Sequence, residues 1–449
     1  MPDSVVAPEI KAGDLIMKTV KFVQMCWKTG LLAIAMALVF VGAVSAEAGD
    51  RGGLTPVRFA TFNASLNRFN AGDLANELAT TGSAQPDTVA EIIQRVRPDV
   101  LLINEFDFDA GGVAARLFQD NYLSIAHGDA DPIVYPYHFV AASNTGIPSG
   151  FDLDKNGSVG VPNDAFGFGF FPGQFGMVVY SMFPINEDEL RTFQLFLWRD
   201  MPGALLPVDP STGQSWYTDE ELNVFRLSSK SHWDVPILIP KDDDDSDSDG
   251  NSDTKTVHIL VSHPTPPVFD GPEDRNGTRN HDEIRFWADY IIPSRSGYIA
   301  DDNGRPGGLP PGAMFVIAGD QNSDPFDGDS IPGSAQLLLD HPRVNTNVTP
   351  SSPGAVEQNA LQGNANTLHL GDPAFDTADF FDGFPPPPFG GAPGNLRADY
   401  VLPSKNLRIT DAAVFWPSSD DPLFSLVGTF PFPSSDHRLV WIDVTIPGR

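Results

Sequence analysis

The stretch SSDHRLVWIDV (residues 434–444) places two ionisable side chains, Asp436 and His437, directly before an apolar run that is typical of a β-strand. Five more segments put a polar group at or just past the end of a similar run. They are TFNAS (61–65), LLINEFD (101–107), ILVSHP (259–264), VIAGDQN (316–322) and RADYVLP (397–403). Strand ends are where a rigid sheet presents catalytic side chains from loops.

The polar groups in these six segments are rich in oxygen donors and include histidine. If the strand ends meet, the side chains form a site suited to a hard divalent cation with a histidine beside it. This combination indicates metal-assisted cleavage of a phosphate ester. The residues are Asn63, Glu105, His263, Asp320, Asn322, Asp399, Asp436 and His437.

The composition allows a large core with many loops. The 449 residues are 41% hydrophobic and 10% aromatic, while glycine and proline number 41 each. Such a chain can bury a substantial core, and its abundant turn residues predict long connections. We predict one domain over residues 57–446, preceded by a linker at 47–56.

The N-terminal region resembles a secretory signal peptide. Lysines precede the apolar run GLLAIAMALVFVGAV (30–44), and Val44-Ser45-Ala46 offers a cleavage site. The run is shorter than the roughly 20 residues that a membrane-spanning helix needs. We therefore predict cleavage of residues 1–46, with 17–46 as the functional leader and either Met1 or Met17 as the start. The protein would be secreted or periplasmic, with no stable membrane anchor after cleavage.

The chain is strongly acidic, with a net charge of −31. The leader carries four lysines against three acidic residues, so the mature chain has a charge of −32. Such a field repels polyanions and disfavours non-specific nucleic-acid binding. The single cysteine, Cys26, lies in the leader, and the mature chain is therefore predicted to lack disulfides.

The pattern of apolar residues predicts two packed mixed β-sheets flanked by helices, an α/β fold. Helices are predicted at 87–97 and at 283–292, the latter capped by Asn280 or Asp282. Residues 241–255 are too acidic to pack and are predicted to form a disordered loop at the tip of a hairpin. Residues 340–395 are predicted to be a long irregular excursion. Strands are predicted at 57–65, 99–106, 176–185, 233–239, 256–264, 314–322, 397–403 and 437–446.

The order and spacing of the six motifs, closed by Ser-Asp-His, resemble those of the endonuclease/exonuclease/phosphatase superfamily. Its members include deoxyribonucleases, abasic-site endonucleases, inositol-phosphate phosphatases and bacterial sphingomyelinases. The resemblance covers residues 57–446. It implies a four-layer α/β sandwich with the active site at one end of two packed sheets.

The resemblance assigns Glu105 as the principal metal ligand, with Asn63 and Asp436 near the same ion, which would be Mg²⁺ or Mn²⁺. It implies in-line attack on phosphorus by a water that the metal and the His/Asp groups activate. Here Asp320 orients or activates the water, and Asn322 helps to hold the phosphate. His263 donates to the phosphate or protonates the leaving group. Asp399 orients His437, which acts on the phosphate or the water.

The sequence also departs from this family pattern. Phe106 follows the key glutamate, where glutamine or valine is usual, and the acidic partner of His263 has only a weak candidate in Asp270. Basic residues that would bind a substrate anion are sparse. Three lie together after His263 and are substrate-binding candidates, with surface charges or a helix cap as the alternative. They are Arg275, Arg279 and His281.

A second metal site is predicted in DLDKNGSVG (152–160), which matches the first half of a calcium-binding loop. The twelfth position is Asn163 rather than a glutamate, so the alternative is a polar surface turn. The proposed ligands of a structural Ca²⁺ are Asp152, Asp154, Asn156, Ser158 and Asp164.

The sequence therefore predicts a secreted, monomeric, metal-dependent phosphoesterase that favours phosphodiesters. Its substrate would be a nucleic acid, a small phosphodiester or a phospholipid head group. A sphingomyelinase-like enzyme would need an exposed aromatic hairpin, and FGFGFFPGQF (166–175) is a candidate, although its glycines favour a packed loop. A non-catalytic, calcium-binding extracellular protein with the same fold is the alternative from outside the enzyme class.

Overall fold

Strands supply most of the framework in the computed structural model, which describes residues 56–240, 254–380 and 393–447. The strands are β1 Val57–Asn63, β2 Val100–Asn104, β3 Tyr137–Phe139, β4 Met177–Ser181, β5 Arg191–Thr192, β6 His232–Pro240, β7 Thr254–Ser262, β8 Met314–Asp320, β9 Ala378–Phe380, β10 Gly394–Leu396, β11 Asp399–Pro403, β12 Arg408–Val414 and β13 Val440–Thr445.

The helices are mostly short. The α-helices are α1 Asp73–Leu78, α2 Ala84–Val96, α3 Val113–Phe118, α4 Asp219–Leu222, α5 Arg275–Tyr290, α6 Gln336–Leu339, α7 Pro353–Gln362 and α8 Phe424–Val427. A π-helical turn spans Gln119–Leu123, and 3₁₀ turns span Pro162–Asp164, Trp198–Asp200, Ser296–Tyr298, Asn364–Leu368 and Pro373–Phe375. In the described residues no helix combines the length and the apolar character needed to cross a membrane.

Two mixed sheets form the centre of the fold. The first has the strand order β12-β13-β1-β2-β4-β3, and the second has the order β11-β8-β7-β6-β5. Parallel pairs lie inside each sheet, β1 with β2 and β7 with β8, and the other neighbours are antiparallel. A short β9–β10 ribbon forms a third sheet.

Alternating side chains of β7 show how the layers pack. Val257, Ile259 and Val261 join a core cluster that contains residues of both sheets and of α2. Leu260 points to the other face and packs with Trp287 of α5 in a second cluster. Two packed mixed sheets with flanking helices are thus present, as the sequence predicted.

Several element boundaries differ from the sequence predictions. Helix α2 begins at Ala84, three residues earlier, and Thr254 and Lys255 belong to β7 rather than to the acidic loop. The paired ends of β6 and β7 are Pro240 and Thr254, and residues 241–253 between them lie outside the described residues. The predicted leader and residues 47–55 of the linker lie outside them as well.

The predicted cap of the 283–292 helix is wrong. Helix α5 begins at Arg275, and both proposed capping residues lie inside it, fully buried. The side chain of Asn280 donates to the carbonyls of Thr265 and Gln321, at 2.9 Å each. Asp282 accepts the indole N–H of Trp198 at 2.7 Å. Their polar atoms bind distant parts of the chain, so neither is free to cap a helix.

Residues 340–395 are less irregular than predicted, because they contain α7 and the β9–β10 ribbon. Helix α7 carries standard boundary signals that the overall Pro/Gly richness hid. The Ser352 hydroxyl accepts the N–H of Ala355, Pro353 is the first helical residue, and Gly363 follows the last.

Candidate active site

Three strand ends meet where the two sheets come together. Asp399, the first residue of β11, is paired directly with Asp320, the last residue of β8. Asn63 ends β1 in the opposite sheet, and its amide donates to Asp320 Oδ2 at 3.0 Å. All three side chains are buried. The two sheets therefore hold one shared polar centre at this end of the sandwich.

His437 completes this centre between two carboxylates. Its Nδ1 lies 2.8 Å from Asp399 Oδ2, and its Nε2 lies 3.6 Å from Asp320 Oδ2. Thr377 donates its hydroxyl to the same Asp399 oxygen at 2.8 Å, which fixes the carboxylate. An aspartate that accepts from Nδ1 sets the tautomer and the ring orientation of a histidine. Nε2 is thereby directed towards Asp320.

The electrostatics favour a charged imidazole at His437. Burial alone lowers the pKa of this group, but the negative charges of Asp399 and Asp320 outweigh it. The pKa of His437 is therefore raised well above its ordinary value, and the ring is a cation at neutral pH.

His263 lies on the other side of Asp320 in the opposite protonation state. Its Nε2 is 3.4 Å from Asp320 Oδ2, and its Nδ1 has no hydrogen-bond partner among the described residues. Burial lowers the pKa of His263 far below the ordinary value, and the positive charges of Lys230 and His437 act in the same direction. His263 is thus a neutral imidazole.

Asp320 is the hub of the centre, because Asn63, His263 and His437 all face its Oδ2. Burial raises the pKa of Asp320, and the neighbouring charge of Asp399 adds to this. Its other oxygen accepts the backbone N–H of Asn322 at 2.8 Å. A carboxyl group with a raised pKa is a stronger base than a solvated aspartate once it is ionised.

Asn322, predicted to hold phosphate, is positioned by its backbone in the left-handed region, with φ +50°. The side-chain amide of Asn322 donates to the backbone carbonyl of Pro264, the residue after His263, at 3.1 Å. In this arrangement the side chain links the β8 end to the His263 loop.

Glu105 follows β2 with φ +57°, a turn that lifts its carboxylate out of the strand. The Asn67 amide donates to it at 2.9 Å. Burial and the nearby negative charge of Asp436 raise the pKa of Glu105. A buried carboxylate whose ionisation is opposed by a second acidic group is a donor that a divalent cation stabilises, so these residues fit the metal that the sequence predicted.

Asp320 and Asp399 offer further carboxylate donors in this centre, whereas His437 would ligate an ion only after losing its proton. Ligand atoms of Asp320, Asp399 and His437 lie within 4.8 Å of one another, and all three residues are buried. The oxygen of Asp399 that binds His437 is already committed, whereas its Oδ1 has no partner among the described residues.

Three buried residues that surround the centre were not recognised in the sequence. Asn104 accepts the backbone N–H of Asp320 at 3.2 Å, and Glu283 of α5 accepts backbone N–H groups on both sides of the site. Lys230 precedes β6, and its charge acts on Glu105 and Asp320. The only sequence signal was the lysine in SSKSHWDVP (228–236), a basic residue at the start of a strand.

The three predicted anion-binding residues have different environments in the structure. The Arg279 guanidinium is buried and donates to the carbonyls of Leu227, Phe166 and Arg226, so its hydrogen bonds stabilise the fold. His281 is partly buried beside Asp282. Arg275 is ion-paired with Glu273 and lines the cavity next to Glu105.

Asp270, the weak candidate for the acidic partner of His263, does not take that role, and His232 is a structural residue. Asp270 accepts the backbone N–H of Asn276 at the start of α5, and the carboxylate that faces His263 is Asp320. His232 is packed inside the fold, where Nδ1 pairs with Ser228 at 2.6 Å and Nε2 donates to the Glu283 carbonyl at 2.9 Å.

The predicted calcium loop is folded around its own carboxylates. Ligand oxygens of Asp152, Asp154 and Asp164 lie within 4.8 Å of one another. Asp152 accepts the N–H groups of Asn156 and Gly157, and φ +85° at Gly157 makes the turn that glycine permits. Ser158 donates its backbone N–H to Asn156 Oδ1 at 2.8 Å, which adds to the turn.

The aromatic segment 166–175 is packed through its glycines, as the sequence favoured. A Cβ at Gly167 would lie 1.8 Å from the Ser229 carbonyl oxygen, so only glycine fits there. The segment nevertheless exposes Phe168 and Phe170, 50% and 58% accessible, and Phe170 lies 6.3 Å from the exposed Phe69.

Comparison with protein families gives one match, which covers most of the chain. Residues 60–437 match the model described as "Endonuclease/Exonuclease/phosphatase family". This range contains every predicted active-site residue from Asn63 to His437. No curated protein matches the sequence.

Solved structures that are similar to this one have low sequence identity. An endonuclease/exonuclease/phosphatase from Beutenbergia cavernae is 16% identical, with a TM-score of 0.43, covering 88% of this chain and 72% of its own. A family protein from Leptotrichia buccalis is 12% identical, with a TM-score of 0.40 and coverages of 86% and 99%. Sphingomyelinase C from Streptomyces griseocarneus is 13% identical, with a TM-score of 0.37 and coverages of 87% and 99%.

Proposed function

Because the chain belongs to the endonuclease/exonuclease/phosphatase family, we propose that it is a secreted, divalent-metal-dependent hydrolase that acts on phosphate esters, with phosphodiesters favoured. Members of this family are typically phosphoester hydrolases. The observation that carries the proposal is the grouping of Asn63, His263 and His437 around one carboxylate oxygen of Asp320, with Asp399 bonded to the far side of the His437 ring. Titratable side chains grouped in one buried centre are more typical of a catalytic site than of a structural contact.

We assign each residue of the centre a separate role in in-line hydrolysis. Asp320 orients the attacking water and takes its proton, for which burial gives it a suitable basicity. His437, held as a cation by Asp399, donates Nε2–H to a phosphoryl oxygen and neutralises charge that develops there. Asp399 is a positioning residue, because it acts through the imidazole.

Glu105, Asn63 and Asp436 are the residues that would hold Mg²⁺ or Mn²⁺. Such an ion supplies Lewis-acid stabilisation of negative charge on the phosphoryl oxygens. Asn67 holds the Glu105 carboxylate in place for this role. A structural Ca²⁺ at Asp152, Asp154 and Asp164 is a separate part of the proposal.

A phospholipid head group is the second candidate substrate. The exposed pair Phe168 and Phe170 beside Phe69 favours it, because clustered exposed aromatic side chains bind apolar surfaces. Net charge disfavours tight binding of DNA, although divalent ions can bridge an acidic protein to phosphate.

Substitution of Glu105 and of His437 tests the proposal. Glu105→Gln and His437→Gln keep the size of each side chain and remove its charge. We expect each to lower kcat for bis-p-nitrophenyl phosphate with Mg²⁺ by about 100-fold or more, because Glu105→Gln removes a charged metal ligand and His437→Gln removes a catalytic acid. Glu220→Gln, at an exposed position of α4, is the matched control and should retain wild-type turnover.

Circular dichroism would establish that each variant is folded. Near wild-type turnover in either folded variant would remove that residue from the scheme. A wild-type protein that binds Ca²⁺ but hydrolyses no phosphate ester would instead favour the non-catalytic, calcium-binding alternative.

A further inference from the structure

A cavity of about 460 Å³ opens beside Glu105. Its volume is in the range of pockets that bind small molecules, and its lining is mostly apolar with a few polar groups, the usual composition of such pockets. We call the part of the cavity lined by Glu105, Ser229 and Lys230 its inner end; the other polar residues of the lining are Asn163, Thr265, Arg275, Asn276 and Arg279. The aromatic side chains in the wall are Phe168, Phe175, Tyr217, Phe225 and Phe269.

Lys230 is the group in this cavity that most needs a ligand. The residue is only 7% exposed, and its Nζ makes no hydrogen bond or ion pair with any described residue. A buried ammonium without a hydrogen-bond acceptor is costly. Burial lowers the pKa of Lys230, while the charges of Glu283 and Glu105 oppose the shift. An anion at the inner end of the cavity would satisfy it.

The fold holds Lys230 in this position from both sides. The backbone carbonyl of Lys230 accepts the N–H of Asn144 at 2.8 Å. The N–H of the preceding residue, Ser229, is held by the Glu283 carboxylate at 2.6 Å. These bonds fix the main chain at Lys230 and so place the base of its side chain in the cavity wall.

The wall of the cavity suits a flat ring. The rings of Tyr217 and Phe225 are 4.8 Å apart at their centroids, and those of Phe168 and Phe175 are 6.4 Å apart. Tyr217 is 4% exposed, and among the described residues nothing hydrogen-bonds its hydroxyl. The rings of this wall that remain exposed are Phe168 and Phe269, 50% and 71% accessible, and these could stack on an aromatic group while the Tyr217 hydroxyl meets a polar atom on its edge.

We propose that this cavity binds the organic group of the substrate, an unpaired nucleobase or a similar aromatic ring, while Lys230 pairs with the phosphate at its inner end. The inference rests on the proposed function, and it narrows the substrate class to aromatic phosphate esters such as nucleotides. A base inside a duplex cannot enter an enclosed cavity without leaving its stack, so single nucleotides or single strands are the preferred form.

Equilibrium binding tests the inference without any need for turnover. Titration calorimetry with Mg²⁺ would compare thymidine 5′-monophosphate with inorganic phosphate on the protein expressed from the full sequence. We expect the nucleotide to bind at least about tenfold more tightly, a difference of about 1.4 kcal/mol. Val268→Trp places a large side chain in the cavity wall and should abolish this preference while phosphate affinity stays the same. Val134→Trp, at a position that is 58% exposed and outside the cavity, is the matched control.

A second variant tests the lysine. Lys230→Met keeps the length of the side chain and should weaken both ligands about tenfold, whereas the exposed Lys405→Met should not. Equal affinities of the two ligands for wild type, or an unchanged preference in Val268→Trp, would overturn the assignment of the cavity. Unchanged affinities in Lys230→Met would overturn the assignment of the lysine. Hydrolysis of bis-p-nitrophenyl phosphate without nucleotide preference would leave the proposed function standing and remove only this inference.

Discussion

Two histidines within reach of one carboxylate have opposite protonation states. His437 is stabilised as a cation by Asp399 and Asp320, whereas His263 is kept neutral by burial and by nearby positive charge. A centre with one charged and one neutral imidazole can donate to a phosphoryl oxygen without placing two like charges together. The difference comes from the neighbouring charges of residues such as Asp399 and Lys230, which no local sequence pattern reveals.

At the same scale, Asp376 is a buried acid that lowers stability at high pH. It is 6% exposed, and its Oδ2 has no partner among the described residues. Burial, together with the charges of Asp324, Asp327 and Asp372, raises the pKa of Asp376 to about 8. The unfolded chain would ionise this group at about pH 4. Between these values the folded state binds more protons than the unfolded state, so stability falls as pH rises.

We therefore expect Asp376→Asn to stabilise the protein more at pH 8 than at pH 5. The free energy of unfolding of the variant relative to wild type should increase by roughly 3 kcal/mol over this interval. Urea unfolding at both pH values measures it, with the exposed Asp420→Asn as control. A difference between variant and wild type that does not change with pH would show that Asp376 ionises normally in the folded state.

At the scale of elements, helix α5 organises the loops that carry the site. Its Glu283 carboxylate accepts the N–H groups of Ser229 and Thr265, at 2.6 Å each. Ser229 precedes Lys230, and Thr265 follows the His263 loop, so one buried side chain fixes both. The His232 ring adds a bond to the carbonyl of the same glutamate.

Glu283→Gln should destabilise the fold because an amide can accept only one of these two N–H groups. We expect the free energy of unfolding to fall by about 2–3 kcal/mol, the range for lost hydrogen bonds to a buried charged group. Urea denaturation measures the loss. The same substitution at Glu357 of α7, whose contacts with Ser419 are solvent-accessible, should cost under about 1 kcal/mol. Equal losses in the two variants would contradict the role given to Glu283.

The central strands were largely predictable from the sequence, because a run of apolar residues is enough to identify each of them. Apolar runs gave the central strands, and the polar residue at each strand end followed from the same runs. Helix α5 was predicted to start too late because Gly277 and the polar residues around it have weak helix propensity, which tertiary hydrogen bonds override. Arg279 was a candidate for anion binding, and only its three carbonyl partners show that it stabilises the fold.

At the scale of the whole molecule, two sheets bring together residues that are far apart in sequence. Asn63 and Asp320 are separated by 257 positions and are joined by a 3.0 Å hydrogen bond. The sequence predicted this meeting through the resemblance of its motif order, because strand ends converge at one end of the sandwich. Glu283 and Lys230 could not be predicted in this way, since each depends on how a loop folds back onto a helix.

The most direct test of the account is hydrolysis of bis-p-nitrophenyl phosphate, with p-nitrophenyl phosphate, plasmid DNA and sphingomyelin as comparison substrates. The protein would be assayed with Mg²⁺ or Mn²⁺, and again after chelation. The account predicts hydrolysis of a phosphodiester that chelator abolishes and added metal restores, because the carboxylates of Glu105 and Asp436 are the groups that would hold the cation. Activity that survives full chelation, or none on any substrate with either metal, would contradict it.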